Sequence, residues 1–127
     1  MHQSRVFLFG VALIYLVGVV VQFFLAGLGA FSATTYDTHK AFGYVLGILS
    51  IGTFVLAIVG KVPRDLVSLA AVLLGLNVVQ IIVVHVDVDE IAALHVVNAL
   101  AIAGVAFALV RRSRRYLTTK VAAGETG

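Results

Sequence analysis

Four long apolar runs, Val6–Ala30, Ala41–Gly60, Leu66–Val84 and Ile91–Val110, are separated along this chain by short polar breaks. As helices rising 1.5 Å per residue they would reach about 28–37 Å, enough for a hydrocarbon core of about 30 Å. Apolar residues fall on every side of each run, as in helices that face lipid. Lys61-Val62-Pro63-Arg64-Asp65 predicts a tight turn, because Pro63 cannot continue a helix. Asp87-Val88-Asp89-Glu90 predicts another, with acids suited to the N-terminus of a fourth helix. The expected architecture is all-α, an integral membrane four-helix bundle running up-down-up-down. Residues 1–127 form one domain, with helices at about 6–30, 39–60, 65–85 and 90–111 and a short basic tail at 112–127, disordered after Tyr116.

Composition agrees with the pattern. Hydrophobic residues make up 61% of the 127 and charged residues 12%, where a soluble surface needs about 25%. The net charge of +3 does not indicate a nucleic-acid partner, because the cations cluster at segment ends. Arg5, Lys61, Arg64, Arg111, Arg112, Arg114, Arg115 and Lys120 belong to three inner segments, whereas the breaks holding Asp37 and Asp87-Asp89-Glu90 are neutral or acidic. Lys and Arg stay cytoplasmic, so both termini and the middle turn are expected inside a cell-membrane protein. The Arg111–Arg115 cluster reads as an anchor against anionic lipid. The first run is too long for the h-region of a signal peptide, about 7–15 residues. There is no cysteine, which excludes disulfides, thiolate metal sites and covalent c-type haem.

An internal repeat points to chemistry. Gln22 precedes an outer loop and then His39; Gln80 precedes the next outer loop and then His95. Both hairpins run in the same sense, so the repeat would be parallel, about an axis normal to the membrane. That axis sets His39 opposite His95. Histidine in a membrane span is costly and faces the bundle interior or a cavity, and imidazole is a good iron ligand. Gly43, Gly47 and Ser50 follow His39 at offsets of four, eight and eleven; Ala99, Ala103 and Ala106 follow His95 at the same offsets. Small residues on one helix face leave space for a flat macrocycle, although small-xxx-small stripes also serve plain helix packing.

The other polar positions are expected in supporting roles. His85 lacks a small stripe and reads as interfacial. Gln22, Gln80 and Asn98 could surround a cofactor or a quinone, while Asn77 reads as an interhelical hydrogen bond. Lys40 reads equally as the partner of a haem propionate at the outer surface and as an ordinary interfacial lysine. No G-x-S-x-G, phosphate-binding glycine loop or H-E-x-x-H occurs.

The segments Gln22-Phe-Phe-Leu-Ala-Gly-Leu-Gly-Ala-Phe31, His39-Lys-Ala-Phe-Gly-Tyr44 and Leu94-His-Val-Val-Asn-Ala-Leu100 resemble an uncharacterised family of small four-helix membrane proteins. More distantly, the layout looks like one half of a heme A synthase, which carries His-Arg before a glycine-rich helix, a glutamine in the next helix and a histidine early in the fourth. That resemblance implies axial ligation by His39 and His95, with Lys40 in place of the arginine. Tyr36 stands where those synthases have a glutamate, with Asp37 one place off, and their loop cysteines are absent.

The expectation is therefore a b-type cytochrome-like bundle in the lipid bilayer. It would bind iron as non-covalent haem b between His39 and His95 for electron transfer, with a quinone or another redox partner. Gly43, Gly47, Ala99, Gln22, Gln80 and Lys40 would line the site. One alternative is a half-size heme A synthase-like enzyme acting as a homodimer. The other is a structural membrane subunit whose small stripes only pack helices.

Overall fold

The computed structural model describes residues 2–86 and 88–124. Four helices account for nearly all of them: α1 (His2–Ala30), α2 (Asp37–Val59), α3 (Arg64–Val83) and α4 (Asp89–Gly124). Each is long and apolar enough to cross a membrane. Their outer surfaces are as apolar as their cores, with Phe7, Ile14, Phe24, Ile48 and Val59 between 63% and 72% exposed. Water would not tolerate so continuous an apolar surface; lipid does.

The helix ends follow from local chemistry. Lys61 N–H donates to Ile58 O and Val62 N–H to Ala57 O, a Schellman closure of α2 that puts Lys61 at φ 48°. Ser32 closes α1 in the same way, at φ 57°. Pro63 then caps α3, and acids occupy the first turns of α2, α3 and α4, where they meet the positive ends of the helix dipoles.

Two boundaries differ from the expectation. The segment after Tyr116 is not a disordered tail, because α4 continues through it to Gly124. No Pro or Gly interrupts residues 111–123, and Arg, Leu, Lys and Ala there are good helix formers. The N-terminal helix likewise begins at His2, four residues before the apolar run. Asp87 of the acidic turn and residues 125–127 of the tail lie outside the described residues.

α1 packs on α2 and α4, and α3 packs on α2 and α4; among the described residues neither diagonal pair brings Cα atoms within 8 Å, and the long Tyr15 and Asn77 side chains bridge α1 to α3. This closes a ring in which α2 and α4 face each other across the centre. Among the described residues every helix buries four side chains spaced four, three and four apart, and α1 adds the buried Gly18. The side chains are Leu8, Ala12, Tyr15 and Val19 on α1; Leu46, Ser50, Thr53 and Ala57 on α2; Leu66, Ala70, Leu73 and Asn77 on α3; and Ile102, Ala106, Leu109 and Ser113 on α4. Alternating steps of three and four keep one narrow seam turned inward, as in coiled-coil bundles.

One end of this core is tied by polar contacts. The Arg5 guanidinium stacks 4.7 Å from the Tyr116 ring, and Arg112 donates to Asp65 at 3.1 Å. The second pair is half exposed on both sides and contributes at most about 1 kcal/mol. Gly60 lets the α2–α3 turn approach α1, since a Cβ there would lie 3.1 Å from Ser4 Cβ. At the opposite end the core gives way to a cavity.

Candidate functional site

Extending each seam beyond the core by one step of three and one of four leads to Gln22 and Ala26 on α1, Gly43 and His39 on α2, Gln80 on α3 and Val84 at its C-cap, and Ala99 and His95 on α4. All eight line one connected space. Its outer part has a volume of about 670 Å³, within the roughly 300–1,000 Å³ typical of small-molecule sites. A deeper lobe of about 130 Å³ reaches down to Tyr15, Val19, Leu46 and Ile102. The cavity exists because the seam turns from Leu, Val and Ile to Gly43, Ala99 and Ala26, which cannot fill the centre.

His39 and His95 occupy the same step of the seam on the two diagonal helices, and both are half-buried. Each engages a backbone carbonyl through Nδ1: His39 with Gln22 O at 3.3 Å, and His95 with Ala92 O at 2.6 Å. A carbonyl oxygen only accepts, so Nδ1 carries the proton and Nε2 keeps its lone pair. This is the tautomer of a ligand histidine supported from behind. The Gln22 side chain reinforces the arrangement, donating from Nε2 to His39 O at 2.7 Å. The Tyr36 ring meets the His39 imidazole edge to face, with centroids 6.1 Å apart. Gly29 makes room for that tyrosine: a Cβ there would fall 2.6 Å from its ring.

The remaining candidates separate by position. Gln80 lines the cavity, and its Oε1 accepts from Asn98 Nδ2 at 2.7 Å. Asn98 also donates to Leu76 O, so it ties α4 to α3 and fixes the Gln80 amide. Lys40 is exposed on the rim of the outer cavity. His85 also reaches that rim, and its Nδ1 meets Ile81 O at 2.7 Å. Its tautomer is therefore the same, but it is exposed and falls one residue past the seam position of Val84. Asp37 accepts a hydrogen bond from Thr35 at 2.8 Å on the exposed start of α2.

The two glycines below His39 have different surroundings. A Cβ on Gly43 would lie 3.0 Å from Gln22 Nε2, whereas one on Gly47 would make ordinary contact with Ile81 at 3.7 Å. Gly43 and Ala99 line the cavity; Gly47 lies against α3, Ala106 is in the core and Ala103 packs against it.

Tyr15 and Asn77 are the residues that sequence reasoning did not place at the site. Asn77 Nδ2 donates to the Tyr15 hydroxyl at 2.6 Å and to Leu73 O at 2.9 Å, and both residues line the deeper lobe. Tyr15 stands seven residues before Gln22, so the seam spacing alone would have found it.

Among the described residues no group of three or more His, Cys, Asp or Glu is placed to hold a metal ion. Two histidines suit a metal that brings its other ligands with it, as a macrocycle does. Comparison with curated proteins and with solved structures gives no significant match. A family model does match residues 22–86, from Gln22 through the α2–α3 hairpin to just past the end of α3, with His95 and Asn98 outside the matched segment. The chain belongs to the family so described, a family of unknown function (DUF6220).

Proposed function

We propose that this protein is a membrane b-type cytochrome-like bundle that holds one non-covalent haem between His39 and His95 for electron transfer. The observation that carries the reading is the pairing of two carbonyl-supported imidazoles at equal seam positions on opposite helices of one cavity. The residues fit the group in three further respects. Gly43 and Ala99 keep the space between the histidines open. The walls are apolar, as a macrocycle face requires. The cation Lys40 stands at the mouth, where propionates would emerge.

Haem held there would supply a one-electron couple. The protein's own part is to present both Nε2 lone pairs, to hold each Nδ1 proton on a carbonyl and to keep water from the buried side. With both His39 and His95 bound to iron, haem held there would lack a free site for oxygen, which favours electron transfer over oxygen chemistry. Absorption spectroscopy of the protein purified after haem supplementation tests this reading. A low-spin spectrum with a sharp Soret band is expected; a preparation that is folded but lacks any Soret band overturns it.

In the proposed orientation the basic end, with both termini, is cytoplasmic in the cell membrane, and the haem lies in the outer leaflet. Cysteines introduced as Asp89→Cys and Lys120→Cys check it on intact cells with a membrane-impermeant thiol reagent. Labelling is expected at 89 and not at 120, and the opposite pattern reverses the orientation.

A further inference from the structure

The deeper lobe is lined by two residues, Tyr15 and Gln22, that each carry a polar atom the haem reading leaves without a partner. Asn77 Nδ2 bonds Leu73 O as well as the Tyr15 hydroxyl. Leu73 O can only accept, which fixes that atom as nitrogen and makes it the donor to Tyr15. The Tyr15 oxygen is therefore the acceptor, and its own proton meets no acceptor among the described residues. Tyr15 is 1% exposed, so this free donor is not turned toward bulk solvent. Gln22 presents the complementary case. Its Nε2 is committed to His39 O, and its Oε1 is buried with no hydrogen-bond partner.

A buried donor and a buried acceptor left open in an apolar site are each costly, about 1–3 kcal/mol. The two sit seven residues apart on α1, about 10 Å along its axis. The lobe they line has apolar walls from Val19, Phe23, Leu46, Ala99 and Ile102, and His39, His95 and Gln80 also border it. No Asp, Glu, Lys or Arg lines it, so an ion has no counter-charge there. Its volume of about 130 Å³ is close to the roughly 150 Å³ cavity that takes one benzene ring.

From these features we infer that the deeper lobe is a binding subsite for a single neutral aromatic ring bearing oxygen at opposite ends, the quinol and quinone class, held by the Tyr15 hydroxyl at one end and Gln22 Oε1 at the other. The quinol form donates to Gln22, and an oxygen of either form accepts from Tyr15. The lobe shares His39, Gly43, His95 and Ala99 with the haem site above it, but the two groups that hold the ring, the Tyr15 hydroxyl and Gln22 Oε1, are not haem ligands in that reading.

Calorimetric titration of the detergent-solubilised protein with hydroquinone under reducing conditions, corrected for micelle partition, tests the assignment. The isosteric hydrocarbon p-xylene serves as comparison. Saturable hydroquinone binding is expected, with p-xylene at least tenfold weaker. Tyr15→Phe removes only the hydroxyl and should weaken hydroquinone roughly three- to tenfold, while Tyr44→Phe, on the outer cavity alone, should not. Absence of saturable binding, equal binding of p-xylene, or unchanged affinity in Tyr15→Phe overturns the subsite. The p-xylene comparison needs no variant and stands if Tyr15→Phe fails to fold. Repeating the titration on wild-type protein before haem supplementation separates this subsite from the haem reading: saturable binding there upholds the subsite, and binding that appears only after haem loading overturns its independence of haem.

Discussion

His39→Ala and His95→Ala should each abolish the low-spin spectrum of the haem-loaded protein or convert it to high spin, while His85→Ala leaves it nearly intact. The two seam histidines line one cavity from the diagonal helices α2 and α4, so in the proposed reading removing either imidazole would delete one of the two bonds to iron. The resulting loss of haem affinity should exceed the roughly 10–100-fold that removing a supporting hydrogen bond costs a metal site. His85 shares the same backbone-bonded tautomer, so the comparison isolates position from protonation. A Soret titration of the three variants beside wild type measures the effect. Full haem retention in both seam variants rejects the ligand assignment, and a loss confined to His85→Ala moves it.

The two glycines that follow His39 should respond in opposite ways. Gly43→Val places a branched side chain where even a Cβ would come within 3.0 Å of Gln22 Nε2. The amide must move, breaking its bond to His39 O, and the added methyl groups project into the cavity. Haem affinity should fall roughly 10–100-fold. Gly47→Ala meets Ile81 at ordinary contact distance and gains helix propensity of about 0.5–1 kcal/mol. Its spectrum should be unchanged and its Tm equal or slightly higher. Equal haem loss in both variants would mean that the whole small-residue stripe serves the cofactor and not only its first turn, the part that lines the cavity.

The contrast between these glycines shows where sequence reasoning reached its limit. Both stand at small-residue offsets from His39, and spacing treats them alike. The structure separates them because steps of four and then three follow the inward seam, whereas two steps of four drift toward α3. The same drift explains why Ala99 lines the cavity and Ala103 does not. Tyr36 shows a second limit. Six residues before α2 leave the orientation of its ring open, and the missing side chain at Gly29 decides it.

By itself the sequence determined the four spans, their breaks, the basic end, and the matched placement of Gln22 with His39 and Gln80 with His95. These follow from hydropathy, proline and charge, which act locally. Only the tertiary structure decided which side of each span faces inward, since lipid and protein core are equally apolar and hydropathy cannot distinguish them. It also decided the carbonyl partners of the histidines and the bond between Tyr15 and Asn77, which are 62 residues apart. Such contacts form only when the ring of helices closes, and closure depends on side-chain volumes at positions that are distant in sequence.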